Sequence, residues 1–114
     1  MNLSLHHHTV FSTISIEGRL AGSNVDGAID MFAMVPIDQN LIVDLSAVTA
    51  IDAAVASALH DELRSRACDA SVVLVVSDID VIVQLVMQNV DHFTQLVRTR
   101  ADAVGLVTGV LADR

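Results

Sequence analysis

Residues 10–20 show the clearest pattern in the chain, an alternation of apolar and polar side chains. A period of two predicts a β-strand with one buried face and one face open to water or to a partner. Residues 2–8 are expected to pair with it as an antiparallel edge strand, and Gly18 to mark a bulge or a close approach of two backbones. The apolar face comprises Val10, Ile14, Ile16 and Leu20, and the polar face comprises Thr13, Ser15, Glu17 and Arg19.

Two later segments, residues 41–45 and 72–76, are almost entirely apolar. Such runs are typical of strands that are covered on both faces of a sheet. After the first run, residues 46–50 are expected to form a short polar turn. Residues 96–98 predict a weaker last strand.

Four segments with a helical period separate and follow these strands, over residues 25–34, 53–67, 78–89 and 101–111. Ser77 or Asp78 caps the third of these helices. The second helix is expected to turn three apolar residues to the sheet, Val55, Leu59 and Leu63, and four charged residues to solvent, Asp61, Glu62, Arg64 and Arg66.

The element order β-β-α-β-α-β-α-β-α predicts the α/β fold class. We expect a mostly parallel, mixed sheet of four to five strands with about four helices and right-handed crossovers. A chain of 114 residues suffices for one domain and not for two, so residues 1–114 are treated as a single domain. Apolar residues make up 53% of the chain and aromatic residues 3%, which predicts a core of Val, Leu, Ile and Ala.

The helix over residues 78–89 is apolar around most of its circumference. A helix of this kind is either deeply buried or half of an interface, and one such interface would be a homodimer. Its first apolar stripe is Ile79, Ile82 and Val86, and its second is Val83, Met87 and Val90.

The net charge of −8 excludes two classes of partner. The sequence has no basic patch to neutralise nucleic acid phosphates, and its acidity disfavours an anionic membrane surface. No signal peptide is recognised, and no apolar run reaches the roughly 18 residues of a membrane span. Cys68 is the single cysteine, which favours a reducing compartment, the cytoplasm.

The sequence offers no chemistry for catalysis, so the protein is not expected to be an enzyme. His6, His7 and His8 alternate on a strand and supply two metal ligands on one face at most. His60 and His92 lie far apart in the sequence and belong to no nucleophile–base arrangement. No catalytic, cofactor-binding or metal-binding residues are expected.

The junction of the central strand with the second helix is the strongest local signal. The N-terminus of a helix presents unpaired N–H groups and a positive dipole end, which suit a phosphoserine or a carboxylate. From residue types alone, Asp52 is an N-cap and Ala53 and Ala54 are good helix formers.

Residues 41–59 follow a pattern of apolar strand, polar turn, Ile51-Asp52 and alanine-rich helix. Together with the strand that ends in Glu17-Gly18-Arg19-Leu20 and the strand and helix over residues 71–90, this order resembles that of STAS domains. STAS domains are the family of the bacterial anti-sigma factor antagonists. The resemblance covers most of the chain.

The sequence departs from the family pattern at the family's phosphorylation switch. In that family the strand leads into Asp-Ser-Ser-Gly, whose second serine is phosphorylated, whereas this chain has Asp52-Ala53-Ala54-Val55. Ala54 has no oxygen to accept a phosphate. The acidic residue that lies near the switch in the family falls at Ala21.

The resemblance implies a non-enzymatic regulatory module that binds an anti-sigma factor of the serine-kinase type and is not switched at the usual serine. Ser57, one turn further on, is an alternative, displaced phosphoacceptor. A second alternative is a STAS subunit or cytoplasmic domain of a membrane transport assembly, either an anion transporter or an ABC-type lipid-trafficking ATPase. The implied protein-binding residues are Asp52, Ala53, Ala54 and Val55 with Ala21, Ser23 and Asn24.

Overall fold

The computed structural model describes residues 2–8, 10–20 and 25–108, which form a five-stranded mixed sheet and four α-helices. Strand β1 is antiparallel to β2, and the neighbours in the order β1-β2-β3-β4-β5 are otherwise parallel. The predicted α/β fold class is confirmed. The elements are β1 Asn2–His7, β2 Phe11–Leu20, α1 Val25–Ala33, β3 Asn40–Ile51, α2 Ala53–Ala67, β4 Val72–Val75, α3 Ile79–Met87, β5 Gln95–Val97 and α4 Arg100–Thr108, with a 3₁₀ helix at Val90–His92.

Helices cover both faces of the sheet, so the fold has three layers. The main core lies between one face and helices α1, α2 and α3, and a smaller core lies between the other face and α4. Strand β3 serves both cores, because Val43 points into the main core and Ile42 into the smaller one. The predicted burial of the two apolar runs on both faces is therefore confirmed.

The alternation predicted for the first long strand holds for the main core but fails at two positions. Ile14, Ile16 and Leu20 are buried as expected, whereas Val10 precedes the strand and is 54% exposed. Thr13 was expected to meet water and is buried. It lies on the same face as Phe11, which packs in the smaller core, so this part of the polar face is not open to solvent.

Strand β3 is longer than the sequence predicted. The expected polar turn over residues 46–50 is strand, and β3 continues to Ile51 beside β2. Two register shifts, between Ser15 and Glu17 and between Gly18 and Arg19, accommodate the extra residues of β3. Gly18 has a φ of 96°, so the predicted irregularity at this glycine is confirmed.

Arg66 was predicted on the solvent side of α2 but is buried, with 4% of the residue exposed. Its guanidinium donates hydrogen bonds to the carbonyl oxygens of Val35, at 2.9 Å, and of Phe32. These carbonyls lie at and just beyond the C-terminus of α1, and the Phe32 carbonyl also accepts from the Val35 N–H at 3.0 Å. The guanidinium also pairs with Glu62, whose carboxylate lies 3.3 Å from Nε. These partners explain why a charged side chain is buried here.

Helix α3 begins after the predicted cap Asp78, whose carboxylate accepts hydrogen bonds from the N–H groups of Asp80 and Val81. The helix buries neither of the two predicted stripes. Its fully buried residues are Val81 and Leu85. Val90, assigned to the second stripe, lies beyond the helix and is buried in the main core. Large apolar residues that the helix leaves exposed are Ile79, Val83, Val86 and Met87, here called the α3 stripe.

The last two elements are shifted by one residue from their predicted starts, β5 to Gln95 and α4 to Arg100. Residues 109–111 of the predicted last helix lie outside the described residues. Within the described ranges, no helix has the length and apolar character needed to cross a membrane.

Candidate functional site

The N-terminus of α2 follows β3 after a single linking residue, Asp52. Asp52 is extended, with φ −93° and ψ 167°, and its carboxylate accepts a hydrogen bond of 2.8 Å from the Val55 N–H. The Asp52 carbonyl accepts a hydrogen bond of 3.0 Å from the Ala56 N–H. Asp52 is therefore the N-cap expected from its residue type, and it fixes where the helix begins.

The first turn of α2 presents a small apolar surface. Ala53 and Ala54 are exposed, and Ser57 is exposed one turn later. Val55 is fully buried, so its side chain belongs to the core and holds the turn against the sheet. Of the predicted contact residues on this helix, a partner can touch Asp52, Ala53 and Ala54 and cannot reach the side chain of Val55.

The predicted contact residues Ala21, Ser23 and Asn24 lie outside the described residues. The strand before them ends at Leu20, which pairs with Ile51, the residue before Asp52. The ends of β2 and β3 are therefore neighbours at one edge of the sheet. The proximity of residues 21–24 to the α2 N-terminus stays a prediction.

The α3 stripe lies on the helix that follows the neighbouring strand, β4. Helices α2 and α3 follow the adjacent parallel strands β3 and β4, so both helices begin at the C-terminal ends of these strands. Ile79 and Met87 are 65% and 68% exposed at the two ends of the stripe. The stripe is a second exposed apolar surface in addition to the alanines of α2.

The opposite face of the sheet holds an ion pair that sequence reasoning missed. The Arg100 guanidinium at the start of α4 donates to the Asp44 carboxylate on β3, with 2.9 Å from Nε to Oδ2. It also donates to the Ser15 hydroxyl at 2.8 Å. Asp44 lies inside an apolar run and Arg100 lies 56 residues away, so spacing alone gave no signal for the pair.

The Asp44 carboxyl has a lowered pKa. Burial alone raises its pKa, but hydrogen bonds from the Ser46 hydroxyl and N–H, together with the Arg100 guanidinium, outweigh burial and hold the pKa below its ordinary value. A cavity of about 250 Å³ opens beside the pair, with Ser4, His6 and Glu17 among its lining residues.

The histidines are distributed among separate local environments. His7 Nδ1 lies 2.8 Å from the Ser12 hydroxyl, and the His8 ring stacks on Phe11. His60 and His92 are distant in sequence but line one cavity of about 340 Å³. The cavity lies on the face of the sheet that α2 covers. Among the described residues, no group of three or more His, Cys, Asp or Glu side chains could hold a metal ion.

Solved structures of other proteins share the fold of this chain, whereas sequence comparisons give no match. No family model matches the sequence, and no curated protein sequence matches it. An anti-sigma factor antagonist from Mycobacterium paratuberculosis superimposes with a TM-score of 0.84 at 18% identity, over 94% of this chain and 93% of that protein. A Thermotoga maritima protein assigned as an anti-sigma factor antagonist gives 0.78 at 18% identity, over 93% of this chain and 94% of that one.

The anti-sigma factor antagonist SpoIIAA in its unphosphorylated form gives a TM-score of 0.69 at 17% identity, over 95% of this chain and 99% of that protein. At these identities the likeness concerns the fold. The chain therefore has the STAS, or SpoIIAA-like, fold over almost its whole length, as the sequence resemblance predicted.

Proposed function

We propose that this chain is a non-enzymatic regulatory module of the bacterial cytoplasm that binds an anti-sigma factor of the serine-kinase type. In this proposal the partner contacts the N-terminus of α2 together with Ala21, Ser23 and Asn24. Binding is constitutive, because the position that carries the phosphoacceptor in the family is Ala54.

The observation that carries the proposal is the exposed first turn of α2 in a chain with this fold. Asp52 caps the helix and leaves Ala53 and Ala54 at the surface. Two methyl groups beside unpaired helical N–H groups form a flat surface that a partner can approach closely. The fold supports the regulatory class, since the structural neighbours are anti-sigma factor antagonists.

The proposal predicts that phosphate does not regulate the contact at this turn. A phosphoserine would add about −1.5 to −2 charges, enough to repel or reshape a partner surface. Neither Ala53 nor Ala54 has a hydroxyl, and Ser57 is the exposed hydroxyl nearest to them along the helix. Incubation with the kinase partner and ATP should leave the protein unlabelled. Stoichiometric labelling at Ser57 would show a displaced switch and contradict constitutive binding.

Affinity capture from the native cell lysate, with identification by mass spectrometry, tests the partner class. The proposal expects an anti-sigma factor with a serine-kinase domain. Its binding should be lost in Ala54→Arg, because the long charged side chain projects from the contact surface. Ala101→Arg is the matched control, since Ala101 is also the exposed second residue of a helix and lies on the other side of the sheet.

Ala54→Ser extends the test to the switch. If the turn retains the geometry of the family, the serine should become phosphorylated by the captured kinase, and the phosphorylated protein should release it. Capture that is unaffected by Ala54→Arg would place the contact elsewhere on the surface and contradict the proposed site.

The α3 stripe favours a second candidate function, a permanent subunit or cytoplasmic domain of a membrane transport assembly. Four large apolar residues at the surface of one helix are typical of a surface that is covered in an assembly. Recovery of an anion transporter or an ABC-type ATPase in the same capture would support this candidate and exclude an anti-sigma factor as the partner.

A homodimer is the third way to cover the α3 stripe. Light scattering should then give twice the 12.1 kDa mass of one chain, and Met87→Glu should restore the mass of one chain. A strict monomer at all concentrations would exclude the homodimer and leave the stripe to a different partner.

A further inference from the structure

A cavity of about 340 Å³ lies between the second half of α2 and the segment that follows α3. Helix α2 contributes His60 and Arg64, and the following segment contributes Asn89, His92 and Phe93. The protein-binding site proposed above does not include it. Arg64 is ten residues beyond Ala54, which places it about 15 Å further along α2.

The backbone after α3 has a conformation that brings these side chains to α2. Asn89 is left-handed, with φ 60° and ψ 24°, and its N–H donates a hydrogen bond of 2.9 Å to the Val86 carbonyl. Asparagine is tolerated in this conformation better than most residues, and it ends the helix. Val90 is then buried in the main core, which anchors the 3₁₀ helix carrying His92.

One wall of the cavity is aromatic. The rings of His60 and Phe93 meet edge to face, with their centroids 5.1 Å apart and an angle of 79° between the planes. Both side chains are partly buried, so their positions are held by packing. This wall gives a planar ligand a surface of fixed orientation.

The charged side chain in the cavity lining, Arg64, is basic, whereas the protein as a whole is acidic. The chain has 14 acidic residues and 6 arginines, yet no residue lining this cavity is acidic. Among the described residues, Arg64 has no carboxylate within ion-pair distance. By contrast, Arg100 beside the smaller cavity is already paired with Asp44. Three acidic residues adjoin the lining residues in the sequence: Asp61, which lies 3.2 Å from His60, Glu62, which pairs with Arg66, and Asp91.

We propose that this cavity binds a nucleoside monophosphate. The Arg64 guanidinium would bind the phosphate in a bidentate manner, the most favourable geometry for this pair. The His92 imidazole and the Asn89 amide supply further N–H donors to phosphate and ribose. The base lies against Phe93. The volume is at the lower end of the range for small-molecule sites, which suits one base with one phosphate group.

Titration of the isotope-labelled protein with AMP and with GMP, followed by amide chemical shifts, tests the proposal. At least one nucleotide should produce saturable shifts at residues 60–64 and 89–93, with a Kd of about 0.1–1 mM. Adenosine, guanosine and inorganic phosphate serve as part-ligands. Each should bind at least about tenfold more weakly than the nucleotide, because each lacks one half of the contacts.

Arg64→Gln should weaken nucleotide binding by at least about tenfold, as expected for the loss of a charge-assisted hydrogen bond. Arg98→Gln is the matched control, because it removes the same charge from an exposed arginine outside the cavity and should leave binding unchanged. Both positions are exposed, so the variants should fold like the parent protein.

Three results would overturn the proposal. The first is no saturable shift with either nucleotide up to about 10 mM, a concentration well above the expected Kd. The second is inorganic phosphate binding as tightly as the nucleotides, which would reduce the site to a simple anion site. The third is a nucleotide affinity in Arg64→Gln equal to that of the parent protein. None of these results bears on the partner proposed for the α2 N-terminus.

Discussion

At the scale of single residues, Arg66 shows why a charged side chain can be misassigned from the sequence. Its spacing on α2 places it on the buried face, eleven residues after Val55 and three after Leu63, so the misassignment came from its charge. The deciding fact is the position of the α1 C-terminus, whose carbonyls at Phe32 and Val35 receive the guanidinium. That proximity depends on tertiary packing, which the helical period of α2 does not encode.

Arg66→Met should lower the free energy of unfolding by about 2–4 kcal/mol, because it removes the guanidinium's hydrogen bonds to the Val35 and Phe32 carbonyls and its ion pair with Glu62. Methionine keeps most of the side-chain volume, so the loss reports on hydrogen bonding rather than on a cavity. Urea denaturation followed by circular dichroism measures the change. Arg64→Met, on the exposed side of the same helix, should change stability by no more than about 0.5 kcal/mol. Equal effects of the two variants would show that Arg66 contributes no special contact.

The candidate site was predictable at the residue scale where local rules apply. The capping role of Asp52 follows from its residue type and its position before an alanine-rich helix. The burial of Val55 follows from its period with Leu59 and Leu63. The cavity that joins His60 to His92 was not predictable, because it depends on how the chain turns after α3.

At the scale of elements, most differences between the predicted and the observed structure lie at the ends of helices and strands. Helix starts were predicted well, because an aspartate caps both α2 and α3. The end of β3 was predicted poorly, because Ser46 and Thr49 interrupt the apolar run and were interpreted as part of a polar turn. In the structure these residues continue the ladder with β2, and the register shifts at Gly18 and Ser15 let the longer strand keep its pairing.

Two glycines in different elements should respond to alanine in opposite directions. Gly18→Ala should lower the free energy of unfolding by about 1–3 kcal/mol, because a φ of 96° is unfavourable for any residue with a Cβ. Gly27→Ala should raise it by about 0.5–1 kcal/mol, because Gly27 is exposed on helix α1 and a Cβ there would meet Leu3 at an ordinary 3.5 Å. Thermal and urea unfolding of the two variants provide the comparison. A stabilised Gly18→Ala would mean that the backbone at the bulge is not strained by a side chain.

At the scale of the whole molecule, one ion pair connects the α4 layer to the sheet. Asp44 on β3 and Arg100 at the start of α4 are joined across 56 positions of sequence, and the Ser15 hydroxyl binds the same guanidinium. The apolar contacts of α4 with the sheet are few, since the smaller core has six buried members among the described residues. The ion pair is therefore expected to contribute to holding this helix in place.

Asp44→Asn should destabilise the protein at neutral pH by about 1–3 kcal/mol, because the amide binds Arg100 and Ser46 less strongly than the carboxylate does. The folded-state pKa of Asp44 is lowered, so its contribution is complete above the unfolded pKa of about 3.9 and is lost as the pH falls through the folded value. The difference between Asp44→Asn and the parent protein should thus shrink below about pH 4.

Urea denaturation of both proteins between neutral and acidic pH measures this difference. Asp30→Asn, at an exposed position on α1, is the control and should follow the parent protein at each pH. A destabilisation by Asp44→Asn that stays constant down to acidic pH would mean that the carboxylate charge is not responsible.

The strand order of the sheet is also the order in which the strands leave the ribosome. Strand β1 pairs with β2, β2 with β3, β3 with β4 and β4 with β5, so each new strand finds its partner already synthesised. Folds whose early strands end in the centre of the sheet must leave an edge unpaired until much later residues emerge. Here the growing edge always belongs to the most recent strand, and we expect the nascent chain to fold outward from the first hairpin, one strand at a time.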